Sequence, residues 1–453
     1  MSLIGTLNTG ASGLTASGTR LSVIGGNIAN IGTTGYKAMR ANFSDLLPSS
    51  IGGQSGSNQL GNGTMVSTTM GLFGQGSLKD SSSALDFAIS GDGFFPVRDG
   101  DETFYTRDGS FFMDEEGFIT TGGGMPLQGY LASSEGEITG LQGDLQVSRT
   151  AVSPQATTTI STDLLLSAET EVSTTDFLNT ATFDGTTTTG TSLEAISTTL
   201  EDPANTTGFT SSVTIYDDLG VGHEVLMAYE RVSNTDWTFK AFVDGAELDN
   251  AAYESGAAVE VASGTLSFAD GVLDTAASTA PTLTLADVFP GTTGVWSPEF
   301  DFGVDFTTGD ATGDGNISMG GTENSIASMS QDGFAPGELT AISLNDEGVL
   351  VGTYTNGEER SLGQLALAVF DTNTGLDRVG GNLYQETTGS GEAVLGAPGV
   401  GRRGDVVGYT LEQSNVELED QFVEMIAGQR AYQANSSVIS TANDTLQELV
   451  NLV

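Results

Sequence analysis

The closing stretch LEQSNVELEDQFVEMIAGQRAYQANSSVISTANDTLQELVNLV (411–453) sets apolar side chains on a seven-residue step: Leu418, Met425, Tyr432, Ile439, Leu446 and Val453. Phe422 and Val450 stand in a partner column whose other places are the polar Gln429, Ser436 and Asn443. The opening stretch repeats the device. Leu7, Leu14, Leu21 and Ile28 form one column, and Leu3, Gly10, Ser17, Ile24 and Ile31 form the other. A seven-residue step is the period of a helical seam of coiled-coil type. An amphipathic helix laid on its own domain has the same period.

Composition decides between these. The N-terminal seam contains Gly5, Gly10, Gly13, Gly18, Gly25 and Gly26. Each glycine costs a helix about 1 kcal/mol relative to alanine, so roughly 6 kcal/mol opposes this helix in isolation. Yet its apolar column is too regular for a solvated tail, and the C-terminal segment stays apolar through Val453. A seam too weak to stand alone and too apolar to leave in water is expected to order against partners. Both ends are expected to be disordered before assembly and helical after it.

Outward from the ends, the pattern changes to short alternating runs punctuated by Gly, Asn and Asp, which read as strands and turns. ALDFAIS (84–90), FFPVRDG (94–100), ELTAISLNDEGVLVGTY (338–354), GQLALAVF (363–370), SSVTIYDD (211–218) and DWTFKAFVDG (236–245) are examples. The fold class expected is mainly β, multidomain, with α-helical termini. A terminal helical domain takes 1–35 with 415–453, and a Gly/Ser/Gln-rich extended connector takes 36–80. A discontinuous inner β-domain takes 81–150 with 325–414. The Thr-rich, acidic segment 151–324 is looped out of it as one or two outer β-domains.

The whole chain has 453 residues, of which 38% are hydrophobic, and its 62 glycines follow no triplet repeat, which excludes collagen. No apolar run reaches the roughly 18 residues of a membrane span. The start MSLIGTLNTGASGL lacks a basic n-region and a continuous apolar core, so it does not read as a usual signal peptide, which leaves a cytoplasmic protein or one exported by a route needing no cleaved signal. Cysteine is absent, which suits a chain that travels unfolded and folds without oxidants. With 59 acidic residues against 14 basic, the net charge is −45. Such a surface disfavours nucleic acid and anionic membranes, and it makes self-association depend on salt screening.

With these features in view, three stretches resemble the flagellar axial family of rod, hook and hook-junction proteins. SGLTASGTRLSVIGGNIANIGTTGYKAMRANF (12–43) is similar to its N-terminal signature, centred on Asn27, Ile28, Ala29 and Asn30, then Thr34, Gly35, Tyr36 and Lys37. LDFAISGDGFFPVRDGDETFYTRDGSFFMDEEGFITTGGGMPLQGY (85–130) resembles the inner domain of rod and hook members, through Tyr105-Thr106-Arg107-Asp108-Gly109 and Leu127-Gln128-Gly129-Tyr130. The tail carries Ser414-Asn415-Val416 and Gln429-Arg430-Ala431-Tyr432-Gln433-Ala434-Asn435, the family's most specific closing words. Residues 330–393, and SSVTIYDDLGVGHEV (211–225) with Trp237 downstream, resemble hook members, whose outer domain rod proteins lack.

The resemblance implies a helical tube that joins a rotary motor to a filament and transmits torque while bending. It implies terminal helices lining the tube, outer domains facing solvent, and an extracellular location reached unfolded through the flagellar export channel. Beyond further copies of the chain, the partners implied are the rod, the hook cap, the hook–filament junction protein and the export apparatus. It implies no membrane insertion, no cofactor and no enzymatic activity.

Catalysis finds little material in the chain. With one histidine, His223, in an expected turn, and no cysteine, Cys/His nucleophile pairs and His-rich zinc sites are excluded. Gly399-Val400-Gly401-Arg402-Arg403-Gly404 matches G-x-G-x-x-G, but Asp405-Val406-Val407-Gly408-Tyr409 reads as a strand where phosphate binding needs a helix. Arg402 and Arg403 are there expected to pair acidic neighbours. Asp310, Thr312, Asp314 and Asn316 space oxygen ligands as in the first half of a calcium loop, with Gly315 sixth and Ile317 eighth. The twelfth place holds Gly321 where a bidentate glutamate belongs, and Glu323 comes two residues late, so an acidic turn is the expectation. Pairs such as Asp217-Asp218 and Glu115-Glu116 read as solvated turns in so acidic a chain.

Alternatives exist within the same family and in a different class. A distal-rod protein would lack the 151–324 insertion, and a junction protein would lack the 85–130 match. A secreted β-rich adhesin would explain the Thr, Gly and acidity but neither heptad end.

Overall fold

The computed structural model describes residues 3–47, 49–50, 59–133, 136–148, 151–183, 191–200, 207–248, 253–279, 289, 298–303 and 316–451. Its described helices are α1 (Leu3–Ala29), α2 (Phe177–Thr180), α3 (Leu193–Leu200) and α4 (Leu418–Asn451). Everything else that is regular is strand or single-turn helix, so the chain is mainly β with helical ends. Two compact units result: residues 1–149, 339–353 and 359–453, and residues 150–338 with 354–358.

In the first unit the two flanks of the insertion are woven together. Strand Gln128–Ala132 pairs with Glu359–Leu365, Phe87–Ser90 with Asp405–Gly408, and Leu78–Asp80 with Thr410–Glu412, all antiparallel. A five-stranded sheet and a four-stranded sheet follow, and each draws strands from both flanks. Their inward faces close over Phe87, Phe95, Val97, Phe111, Ile119, Leu127, Leu350, Leu365 and Leu367. The quoted run 338–354 becomes two strands, Leu339–Leu344 and Val349–Tyr354. Asn345 turns the corner: its side-chain oxygen accepts from Glu347 N at 3.1 Å and Val349 N at 2.8 Å. Gly348 supplies the left-handed residue at φ 74°.

The expected connector 36–80 is more structured than its composition suggested. Met39–Asp45 and Thr64–Gly71 pair as an antiparallel hairpin, and Thr64 N donates to Ser12 Oγ of α1 at 3.2 Å. The run Thr64-Met65-Val66-Ser67-Thr68-Thr69 carries β-branched residues that favour an extended ladder even with little apolar surface to bury.

The second unit is built on a nine-stranded sheet. Gly208–Tyr216, Gly222–Arg231, Asp236–Asp244 and Ala258–Ala269 run as an antiparallel meander. Thr159–Leu166 takes Glu299–Asp301 and Asn316–Met319 in parallel, and Ser325–Gln331 antiparallel. Along Asp236–Asp244 both faces are covered. Trp237, Phe239, Ala241 and Val243 enter the main core, while Phe242 meets Leu178, Ile196 and Leu200 from α2 and α3. The described strands of the insertion thus join one sheet within one compact unit.

His223 is not in a turn. It lies in strand Gly222–Arg231, buried, with Nδ1 3.1 Å from Glu247 Oε2, Nε2 3.3 Å from Asp217 Oδ2, and its ring stacked on Phe289. Asp217 is buried too, and its other oxygen caps the turn by accepting from Leu219 N and Val221 N.

Candidate assembly site: paired helical ends and a buried clamp at their root

Helices α1 and α4 pack antiparallel. Near the free end Gly10 faces Ile439 and Asn435; midway Leu21 faces Gly428; at the root Asn27 Nδ2 donates to Gln421 Oε1 at 3.0 Å. Glycine is used for approach at Gly10 and Gly428. A Cβ on Gly10 would stand 2.9 Å from Ile439 Cγ1, and one on Gly428 would stand 3.0 Å from Leu21 Cδ2. Arg20 and Glu424 add an exposed ion pair at 3.6 Å, a weak contribution in water.

On α1, Gly10, Ser17 and Ile24 are buried and Leu7, Leu14, Leu21 and Ile28 half-buried, while Ile31, beyond the helix end, packs against Tyr36, Ala38 and Val416. On α4 the half-buried or buried stripe runs Gln421, Met425, Gly428, Asn435, Ile439, Ala442 and Leu446. This stripe keeps the column of Met425, Ile439 and Leu446 but takes its partner column one residue earlier than Phe422, Gln429, Ser436 and Asn443. Small or amide-bearing side chains at 421, 428, 435 and 442 let two glycine-bearing helices meet closely. Leu418, Phe422 and Tyr432 lie exposed instead, with Val423, Ile426 and Val438. Phe422 is 49% and Ile426 52% exposed. The side chains of Leu3 and Val450, and all of Val453, lie outside the described residues, as do Asp310, Thr312 and Asp314. Asn316 opens strand Asn316–Met319 with its side chain exposed.

Below the helices the signature words converge on one buried clamp. Asn27 Oδ1 accepts from Met39 N at 2.8 Å, and its Nδ2 also donates to Met39 O at 2.8 Å, tying the helix to the first hairpin strand. Asn30 folds back to Gly26 O at 2.8 Å and accepts from Thr33 Oγ1. Gly35, at φ 67°, donates to Glu412 O at 2.8 Å; a Cβ there would stand 2.5 Å from the Arg107 backbone, so only glycine fits. Thr34 O accepts from Asn382 Nδ2 at 3.0 Å, and Arg378 lies 4.4 Å over the Tyr36 ring. Asn415 Oδ1 accepts from Ala38 N at 2.7 Å, and Asn415 Nδ2 donates to Leu72 O and Gly74 O. Ser414 Oγ accepts from Val416 N.

At the centre sits Glu412, fully buried. One oxygen accepts from Lys37 Nζ at 2.6 Å and Gly76 N at 2.8 Å, and the other accepts from Arg107 Nη1 at 3.3 Å. Lys37 also donates to Gly74 O at 2.9 Å, and Arg107 to Gly91 O at 2.8 Å. Burial presses both cations toward their neutral forms, and the Glu412 carboxylate opposes it. A buried ion cluster of this kind adds little net stability but is costly to break, so it fixes geometry. Here four chain segments, near residues 37, 74–76, 107 and 412, are held in one arrangement.

The remaining tail words behave differently. Gln429, Arg430 and Gln433 are exposed, whereas Asn435 packs against Gly13. Glu412, Gln421 and Asn382 escaped sequence reading because their partners lie hundreds of residues away: Lys37 and Glu412 are 375 apart, Arg107 and Glu412 are 305 apart. Arg107 stood inside a quoted word without a role.

The glycine-rich motif sits in a strand context, as its sequence suggested. Asp405–Gly408 is a strand, so no helix follows the Gly399–Gly404 loop. Arg403 donates to Leu395 O and Val400 O, where pairing with acidic neighbours was expected.

Comparison with known proteins meets this geometry along the chain. Family models match at residues 7–37 (flagella basal body rod protein), 88–163 (flagellar hook protein FlgE/F/G D1 domain), 182–334 (flagellar basal body protein FlaE D2 domain) and 408–452 (flagellar basal body rod FlgEFG protein C-terminal). The flagellar hook protein FlgE of Salmonella typhimurium is 32% identical over 447 residues, covering 97% of this chain and 98% of its own. The chain belongs to the flagellar hook protein family. The hook proteins of Rhizobium meliloti (30% over 459 residues, all of both chains) and Treponema pallidum (29% over 477 residues, 98% and 99%) are further relatives. A Helicobacter pylori hook protein FlgE2 crystal structure, 14% identical, aligns at a TM-score of 0.49 over 72% of this chain and 98% of its own. By its hook-protein relatives, the chain is a structural subunit of the bacterial flagellar hook.

Proposed function

We propose that this hook protein polymerises through its paired helical ends into a curved tube that couples a motor-driven rod to a filament. The observation that carries this reading is the surface of α1 and α4. In a chain of net charge −45, α1 holds one charged residue, Arg20, and α4 leaves Phe422, Val423, Ile426, Tyr432 and Val438 exposed. A nearly uncharged helix beside an apolar stripe is what identical acidic subunits need if they are to meet without like-charge repulsion. Packing against further copies would bury that stripe and offset the cost of six glycines in α1, so the pair is marginal in a lone subunit and rigid in the polymer. The clamp around Glu412 sets the angle at which the helices leave the inner β-unit.

From the family come the finer proposals: contacts with rod, hook cap, hook–filament junction protein and export apparatus, export unfolded without a cleaved signal, and no catalytic role. Electron microscopy after deletion of residues 1–35 or 418–453 tests the reading. Loss of tubes with retained cooperative melting of the β-units is the expected result. Tubes formed without either end would overturn it.

A further inference from the structure

Gln429, Arg430 and Gln433 belong to the most specific word of the tail, yet they stand exposed on α4, away from the stripe that meets α1. Arg430 is the one basic residue of a helix that carries the acids Glu419, Asp420, Glu424, Asp444 and Glu448. Among the described residues it makes no ion pair. Its own helices leave it no acid within reach. α1 holds no acidic residue at all. Glu424 is turned to α1 and pairs with Arg20 at 3.6 Å. At 1.5 Å per residue, Asp420 lies about 15 Å back along α4 and Asp444 about 21 Å ahead.

An arginine left in water needs no counter-charge. On the proposed function Arg430 does not stay in water: Phe422, Val423 and Ile426 are exposed on the same side of α4, and Arg430 follows Ile426 by one turn. A neighbour that covers those apolar side chains also desolvates the guanidinium, which is costly unless the neighbour brings a carboxylate. We infer that Arg430 is a specificity-determining lock between copies, pairing with Glu419 of a second copy of this chain. This inference rests on the proposed polymerisation. Glu419 is exposed on that same side of α4, eleven residues before Arg430, or about three helical turns. A polymer built by one repeated operation joins unlike patches of identical subunits, so the acidic start of one outward side meets the basic middle of the next. With two α4 helices running in the same direction, an offset of about 16 Å sets Glu419 beside Arg430. The same offset lays Phe422, Val423 and Ile426 over Gln433, Ala434 and Ser437, side chains that are small or carry an amide. A slip of one turn sets the guanidinium against Val423 or Phe422 instead, so the ion pair selects the register of the contact.

The test is the critical concentration for tube formation by the full chain at one fixed salt concentration, read by sedimentation and electron microscopy. Arg430→Glu is expected to raise it at least about tenfold, because like charges are then set against each other. Arg430→Gln raises it by about threefold. Combining Arg430→Glu with Glu419→Arg brings it back to within about threefold of the parent, whereas Arg430→Glu with Asp444→Arg does not. All three sites are exposed in the subunit, so far-ultraviolet circular dichroism and the melting of each variant should match the parent. The absence of cysteine gives a second readout: Arg430→Cys mixed with Glu419→Cys should be joined by a short bismaleimide in tubes and not in dispersed subunits. Arg430→Glu tubes that form within about twofold of the parental concentration overturn the inference while leaving polymerisation standing. So does an Arg430→Glu defect that Glu419→Arg fails to relieve, or that Asp444→Arg relieves as well. A parent that forms no tubes at any concentration overturns the proposed polymerisation and the inference with it.

Discussion

Replacing Glu412 by glutamine asks whether the clamp, and not the helices alone, organises the inner unit. The substitution keeps the volume and one acceptor but removes the carboxylate bonded to both Lys37 and Arg107, which are 1% and 3% exposed. Two buried cations then lose their shared counter-charge, and Arg107 keeps the weaker pull of Asp92. Removing one partner of a buried pair costs about 3–5 kcal/mol, because the other charge stays desolvated. At roughly 2–4 °C per kcal/mol for a unit of this size, the melting point of the inner unit should fall by about 6–20 °C. The chain carries its own control, since both tryptophans, Trp237 and Trp296, lie in the insertion. Tryptophan fluorescence should therefore report an unchanged insert, while hydrogen exchange of peptides spanning 35–40, 105–110 and 408–416 rises. Lys37→Met alone should cost less, because it leaves Glu412 paired with Arg107. The Lys37→Met, Glu412→Gln double variant should be milder than the sum of the singles by about 0.5–3 kcal/mol. A Glu412→Gln protein that melts within about 2 °C of the parent would refute the reasoning, since a loss below about 1 kcal/mol is that of an exposed pair.

Gly35→Ala should destabilise the same unit by more than about 1 kcal/mol, because it combines a left-handed residue with a Cβ 2.5 Å from the Arg107 backbone; urea unfolding followed by far-ultraviolet circular dichroism reads it. Phe422→Asp with Ile426→Asp should leave monomer melting within about 0.5 kcal/mol of the parent, as both sites are half in water, yet abolish sedimentable tubes. Acid should weaken the insert through Asp332. Burial works to raise its carboxyl, but the Thr158 hydroxyl and the amides of Thr158 and Thr159 bond the carboxylate and hold it below the usual range. The stability this supplies is present above about pH 4 and is lost as pH falls through the depressed value. Asp332→Asn should flatten that part of the tryptophan-fluorescence acid titration.

Periodicity made the ends and many strands legible. The seven-residue columns located α1 and α4, and the alternating runs 84–90, 94–100, 211–218 and 236–245 overlap strands at 87–90, 95–99, 208–216 and 236–244. What period could not give was direction around α4. Columns at 422 and 421 differ by one residue, or 100° of helix, and the choice was made by Gly428 and Asn435 fitting against Leu21 and Gly13. The 39–71 hairpin was hidden because its ladder is held by backbone bonds and β-branched polar residues, with little apolar alternation. His223 read as a turn residue just after Gly220 and Gly222, yet strand pairing from Gly222 onward carried it into the interior. The clamp showed the limit most plainly. Its words Thr34-Gly35-Tyr36-Lys37 and Ser414-Asn415 stood out, but Glu412, the residue they surround, has no local pattern of its own.

Amide exchange along residues 3–29 and 418–451, compared between dilute subunit in low salt and tubes in high salt, bears on the account most directly. Rapid exchange at both extremities of the subunit, with strong protection appearing only in the tube, is the result expected of helices completed by their neighbours. Equal protection in the isolated subunit, or exposed amides in the tube, would contradict it.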